Sequence, residues 1–157
     1  MSDILILDAA RTPRARVRRE GGTFAHLAPA DLLAGVLSEL TARGLPDDQI
    51  DDLIIGVSTA AGDQGGDVAR VAAIAAGWPE TVPAGTVSRL CCSGLDAVAS
   101  GAAQIGSGGA RLVVVGGVES MSRVPMGSNG GAMAGDPEFA VKTGFVPQGI
   151  GADTIAT

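Results

Sequence analysis

The stretch VPAGTVSRLCCSGLDAVASGAAQIGSGGARLVVVGGVES, residues 82–120, contains two apolar runs separated by a helical pattern. The runs at 82–88 and 111–120 predict strands, and the second is typical of parallel sheets that are covered on both faces. Between them, apolar residues recur every three or four positions over 91–109, which predicts a helix that ends at a glycine pair. The stretch therefore predicts a β-α-β unit with parallel strands.

The predicted helix at 91–109 carries unusually small side chains on several of its sides. Gly94, Ala97, Ser100 and Gly101 would let strands and other helices approach closely. We therefore expect this helix to be central in the fold and buried on most of its surface.

The chain before residue 82 shows the same alternation of patterns. Short apolar runs predict strands at Asp3–Ala9 and at 52–58, and amphipathic spacing predicts helices at 28–44 and 66–77. The full order is then β-α-β-α-β-α-β, which indicates a layered α/β fold with right-handed crossovers.

The last part of the chain has a different character. Residues 121–157 are rich in glycine and proline and show no sustained period until a helix-like start at 150–157. We therefore divide the chain into an α/β part at 1–120 and an irregular, loop-rich part at 121–157.

Length, composition and charge exclude several classes of function. The 157 residues are 46% apolar, enough for the core of one domain, and the net charge of -6 argues against nucleic acid as a partner. No apolar run approaches the roughly 18 residues of a membrane span, and the acidic first residues do not resemble a signal peptide. We expect a cytoplasmic protein without a membrane span.

The two cysteines, Cys91 and Cys92, are adjacent and begin the predicted helix. A disulfide between neighbours is strained, and a zinc site would lack ligands because the one histidine, His26, is far away in sequence; we predict no metal site. Two interpretations remain open from the residues alone. The cysteines are small buried apolar side chains, or one is a nucleophile whose thiolate the helix N-terminus stabilises.

The segment TVSRLCCSGLDAVASGAAQI, residues 86–105, resembles the nucleophile segment of the thiolases. The resemblance places the acyl-accepting cysteine of that family on Cys91 and leaves Cys92 at a position for a small residue. Ser88 stands where the family usually has asparagine. Other segments that resemble thiolase motifs, in the same order along the chain, are DAARTP (8–13), GDQGGDVAR (62–70), GGVESMSRVP (116–125) and QGIGADTIA (148–156).

This resemblance implies acyl transfer between coenzyme A thioesters, either thiolytic cleavage of a 3-ketoacyl-CoA or condensation of an acyl-CoA with acetyl-CoA. Cys91 would carry the acyl group as a thioester, and its backbone N–H would donate to the developing oxyanion. The coenzyme A thioester is then a substrate, and no permanently bound cofactor is implied.

The resemblance also implies that the chain is the N-terminal portion of a thiolase, with an incomplete α/β half-domain at 1–120 and the beginning of the loop domain that binds coenzyme A at 121–157. The family's catalytic histidine and second cysteine belong to the C-terminal half, and a strand that follows the loop domain completes the N-terminal sheet. We therefore expect the 157 residues alone to be inactive and to associate with a C-terminal half or as a homo-oligomer. The alternative is a non-catalytic, truncated thiolase-like subunit or dimerisation module.

Three other features have both a functional and a structural interpretation. Glu119 is predicted to accept hydrogen bonds from nearby backbone rather than to act as an acid or base, and His26 is predicted to lie at the surface. The glycine clusters lack the spacing of a dinucleotide-binding motif. A group of arginines is predicted to form a solvated loop or a subunit contact rather than a phosphate site: Arg11, Arg14, Arg16, Arg18 and Arg19.

Overall fold

The computed structural model describes residues 3–18, 20 and 22–157. Helices and strands alternate through most of this part of the chain, as the sequence predicts. The elements are α1 (Pro29–Ala42), β1 (Asp52–Gly56), α2 (Val68–Ala75), β2 (Ala84–Val87), α3 (Ser93–Gly106) and β3 (Val113–Gly117), followed by the short helices α4 (Ala132–Gly135), α5 (Pro137–Thr143) and α6 (Gln148–Ala156).

The three strands form one parallel sheet in the order β2-β1-β3. Leu53 in the central strand is in register with Ala84 on one side and Val114 on the other. Leu53 and Ile55 are almost completely buried, since they point from the sheet into the main core. The parallel arrangement places the carboxyl ends of all three strands at the same edge.

The main core lies between one face of the sheet and the helices α1 and α2. Leu37 of α1 is 2% exposed, and Val68 and Ala72 of α2 are buried against it and the sheet. Trp78, just after α2, is buried in the same cluster, where its indole N–H donates to the hydroxyl of Thr41 at 2.9 Å. This arrangement satisfies the one polar atom that the indole brings into the core.

Helix α3 packs on the opposite face of the sheet, and glycines permit the close contact. A β-carbon on Gly101 would lie 2.6 Å from a methyl carbon of Val115, so a larger residue would force that side chain or the helix to shift. The prediction that α3 is buried on most of its surface is wrong for the described chain. The side facing the sheet is buried at Ala97 and Gly101, whereas Leu95 is 73% exposed, because nothing in the described chain covers the outer side.

The first predicted strand, Asp3–Ala9, is not a strand in the structure. The segment has no regular secondary structure, Ile6 is 88% exposed, and a cavity of about 760 Å³ lies between the segment and β3. An apolar run predicts burial, but a strand also needs a neighbouring backbone with which to pair. Among the described residues neither this segment nor the outer edge of β3 has such a neighbour, so the prediction is wrong for this chain.

Asp51 joins the beginnings of β1 and β3. Its carboxylate accepts hydrogen bonds from the backbone N–H groups of Arg111 at 2.7 Å and Leu112 at 3.1 Å. These bonds, that of Arg111 foremost, favour the charged form and lower the pKa of Asp51 below its usual value of 3.8.

This lowered pKa predicts how the stability contributed by Asp51 depends on pH. The contribution is present above pH 3.8 and disappears as the pH falls through the lowered folded-state pKa of Asp51. The substitution Asp51→Asn should therefore reduce the urea midpoint near neutral pH, and the difference from the wild type should shrink below pH 3.8. A difference that does not change with pH would contradict this role.

Residues 121–157 contain more helix than the sequence predicts. The helix-like end is confirmed as α6, but α5 was expected to be irregular. The Asp136 carboxylate accepts from the N–H of Glu138 at 2.9 Å and Pro137 begins the helix, a start signal that the glycine-rich surroundings obscure.

Among the described residues, every helix is too short or too polar to serve as a membrane span.

Candidate functional site

A cavity of about 420 Å³ lies at the edge where the three parallel strands end. Ser58 and Thr59, which follow β1, line it together with Glu119, which follows β3, and Cys91, which follows β2. Loops at the carboxyl ends of parallel strands commonly form binding sites in α/β folds. The cavity therefore brings Cys91 and Glu119 together although they are distant in sequence.

The two cysteines occupy different positions at this edge. Both are exposed free thiols. Cys91 lines the cavity, whereas Cys92 is the N-cap residue of α3 and does not line it. Leu90 has a φ of 48°, a left-handed conformation that is costly for leucine. Such strain in the residue before Cys91 is typical of functional sites.

Some of the backbone N–H groups around Cys91 already donate within the turn, and others have no acceptor. The turn itself uses two of them, since Cys92 N–H donates to Arg89 C=O at 3.1 Å and Ser93 N–H to Leu90 C=O at 3.0 Å. The N–H of Cys91 has no acceptor among residues 3–18, 20 and 22–157. The N–H groups of Gly94 and Leu95 in the first turn of α3 likewise have no acceptor among these residues.

Ser93 holds the cysteine turn against the sheet, a role that the sequence analysis missed. Ser93 is 3% exposed, and its hydroxyl accepts from Arg89 N–H at 2.8 Å and lies 2.6 Å from Leu90 C=O and 3.2 Å from Val57 C=O. The one indication of this role in the sequence is a serine at the start of a predicted helix, next to small residues. Ser88, the departure from the thiolase pattern, makes only a long contact of 3.5 Å to Ser58 C=O.

Glu119 accepts three hydrogen bonds, as expected of a carboxylate that ends a strand. The donors are the backbone N–H groups of Ser58 at 2.7 Å and Thr59 at 3.2 Å, and the amide of Gln64 at 2.9 Å. Gln64 is fully buried and was given no role from the sequence. Gln64 lies in the segment 62–70 that resembles a thiolase motif. Its hydrogen-bond partner Glu119 is more than fifty residues away, so the sequence does not reveal the pairing.

The remaining sequence candidates do not join this site. His26 is exposed in a turn before α1, as expected. The arginines at positions 11, 14, 16 and 18 are exposed in the unpaired N-terminal segment, and Arg19 and Gly21 lie outside the described residues. Within the part of the chain that the structure describes, no group of three or more His, Cys, Asp or Glu residues could hold a metal ion.

Comparison with known proteins finds similarity to thiolases. A family model described as "Thiolase, N-terminal domain" matches residues 4–148. The chain is 43% identical over 125 residues to a beta-ketoadipyl-CoA thiolase of Pseudomonas knackmussii, covering 78% of this chain and 30% of that protein. It is 42% identical to the 3-oxoadipyl-CoA/3-oxo-5,6-dehydrosuberyl-CoA thiolase of Escherichia coli K12, covering 80% and 31%.

A solved structure is similar as well. The acetyl-CoA acetyltransferase of Bacillus anthracis superposes with a TM-score of 0.61 at 41% sequence identity, covering 65% of this chain and 26% of that one. The chain thus spans about a third or less of the length of the relatives that it matches.

Proposed function

The chain belongs to the thiolase family, whose N-terminal domain it matches over residues 4–148, and on this premise we propose that Cys91 carries an acyl group between coenzyme A thioesters. The reaction would be thiolytic cleavage of a 3-ketoacyl-CoA or condensation of an acyl-CoA with acetyl-CoA. The observation that carries the proposal is that Cys91, and not Cys92, lines the cavity at the strand ends.

The first chemical step follows from this position. The Cys91 thiolate attacks the carbonyl carbon of the thioester, and the carbonyl oxygen becomes an oxyanion. The N–H of Cys91 donates to that oxygen. When the tetrahedral intermediate collapses, the bond from carbon to the coenzyme A sulfur breaks. The acyl group remains on Cys91, and coenzyme A leaves as a thiolate that takes up a proton from the solvent.

Further turnover requires free acid/base groups, and the one carboxylate among the described residues that line the cavity, that of Glu119, already accepts three hydrogen bonds. Deprotonation of the thiol and formation of a carbanion each need an acid/base group. The histidine of this chain is exposed in the turn before α1 and does not line the cavity. We propose that a histidine and a second cysteine come from a C-terminal half. The thioester is the substrate, and no bound cofactor takes part.

The open surfaces support association with another polypeptide. Leu5, Ile6 and Leu7 are each more than 70% exposed, and Leu95 adds an exposed leucine on α3. We propose that a C-terminal half or a second copy of the chain covers them, since monomers rarely expose such patches. The same surfaces favour the second candidate function, a non-catalytic subunit or dimerisation module.

A measurement of coenzyme A release distinguishes the acyl-carrier function from the non-catalytic subunit. Incubated with acetyl-CoA at about pH 9, since the thiolate and not the thiol is the nucleophile, the chain should release close to one equivalent of coenzyme A and then stop. The released thiol is measured with a thiol reagent after the protein has been removed. No release above a protein-free control would reject the acyl-carrier function and leave the non-catalytic subunit.

A further inference from the structure

Glu119 and Gln64 connect the ends of two strands beside the cavity and have no part in the chemical step described above. We propose that they form a positioning pair: the Glu119 carboxylate fixes the cavity wall that faces Cys91, and Gln64 fixes the carboxylate. This proposal rests on the proposed function, because the wall would hold the thioester carbonyl in line with the thiol.

The hydrogen bonds of Gln64 give the pair a single orientation. Its amide nitrogen donates to Thr59 C=O and to Glu119, each at 2.9 Å, and its amide oxygen accepts from Ser120 N–H at 2.5 Å. The amide cannot be reversed, because its nitrogen would then face an N–H donor and its oxygen two acceptors. A fully buried side chain with all these groups bonded is held rigidly.

Glu119 transmits this rigidity to the loop after β1. One carboxylate oxygen accepts from Ser58 N–H, and the other accepts from Thr59 N–H and from Gln64. Every partner is a donor, so a glutamine at position 119 would direct an amide group toward one of the N–H groups and lose that bond. Hydrogen bonds to a charged acceptor are also stronger than those to a neutral one.

The same loop contacts the cysteine turn on its other side. Val57 C=O lies 3.2 Å from the hydroxyl of Ser93, which also accepts from Arg89 N–H. A shift of residues 57–59 would therefore alter both the wall of the cavity and the support of Cys91. Because a displacement of about 1 Å can reduce a reaction rate by up to two orders of magnitude, the pair affects reactivity without touching the thiol.

The test compares Glu119→Gln with the matched control Glu80→Gln, which removes the same charge from an exposed side chain. We expect Glu119→Gln to slow acetyl transfer from acetyl-CoA to Cys91 by at least about 10-fold. Alkylation of Cys91 by iodoacetamide, which needs no oriented carbonyl, should stay within about 3-fold of the wild type. The control should change neither rate.

Hydrogen exchange tests the inference independently of acyl transfer, and a double variant tests whether the two residues act as a unit. Amide hydrogen exchange at Ser58 and Thr59 should become at least about 10-fold faster in Glu119→Gln, and exchange at Cys92 and Ser93 should also increase. The double variant with Gln64→Ala should be little slower in acetyl transfer than Glu119→Gln alone, since residues acting as a unit are not additive.

The outcomes distinguish this inference from the function on which it rests. Unchanged acetyl transfer and unchanged exchange in Glu119→Gln would overturn the positioning role. A parallel change in alkylation of Cys91 and Cys92 would also overturn it, because that indicates general loosening. If the wild type releases no coenzyme A, the proposed function fails and exchange at Cys92 and Ser93 decides: faster exchange supports the pair, and unchanged exchange rejects it.

Discussion

Gly56→Ala should destabilise the chain by about 3 kcal/mol or more, a large share of the stability of a domain of this size. A β-carbon at Gly56 would lie 2.6 Å from the Gly94 nitrogen and closer still to the Ser93 carbonyl. These are backbone atoms at the start of α3 and cannot rotate away, so the helix that follows Cys91 must move off the sheet. Urea unfolding followed by far-UV circular dichroism measures the loss.

Gly35→Ala is the matched control for this prediction. Gly35 lies on an exposed position of α1, where a β-carbon would meet nothing within 4 Å. Alanine there should leave the stability unchanged or raise it by up to about 1 kcal/mol, because glycine is a poor helix former. If Gly56→Ala were as stable as Gly35→Ala, the close contact between β1 and α3 would be wrong.

Cys91→Ser should abolish the stoichiometric release of coenzyme A from acetyl-CoA, whereas Cys92→Ser should keep it within about 3-fold of the wild type. A serine hydroxyl is a weak nucleophile without an adjacent base, whereas a thiol is partly ionised near neutral pH. The two substitutions remove the same atom from neighbouring residues. They therefore separate the thiol that lines the cavity from the one that does not.

Circular dichroism and the urea midpoint should be unchanged in both cysteine variants, since both side chains are exposed. Equal loss of coenzyme A release in the two variants would mean that the thiols act together. Loss only in Cys92→Ser would move the acyl carrier to the neighbouring residue.

The sequence predicts most of the α/β alternation because the decisive patterns are local. The strands at 52–58, 82–88 and 111–120 and the helices between them need only the apolar period and the glycine stops, and each is confirmed within a few residues. The segment Asp3–Ala9 has an equally good strand pattern but no partner in this chain. Pairing depends on distant backbone, which a local pattern does not contain.

The burial of α3 also depends on distant parts of the fold, which a local pattern does not contain. Small side chains correctly indicate close approach, and Gly101 against Val115 is an example. The small side chains do not indicate how many sides of the helix are covered by other elements. Leu95 and Val98 look like core residues in the sequence, yet they are exposed because the described chain supplies cover on one side only.

The candidate site is only partly readable from the sequence. The position of Cys91 between a strand and a helix is local, and so is the expectation that Glu119 bonds to backbone. The roles of Gln64 and Ser93 are not, because each depends on atoms brought together by the sheet: Gln64 reaches Ser120, and Ser93 reaches Val57. Once the structure is known, buried polar side chains near strand ends identify such roles, because buried polar groups are almost always hydrogen-bonded.

Peptide mass spectrometry after incubation with acetyl-CoA tests the central claim most directly. The chain is treated at about pH 9, quenched in acid to preserve thioesters, digested, and the peptide that contains both cysteines is fragmented. The account predicts one acetyl group, located on Cys91 and absent from Cys92. An acetyl group on Cys92, an equal distribution over both residues, or an unmodified peptide would contradict it.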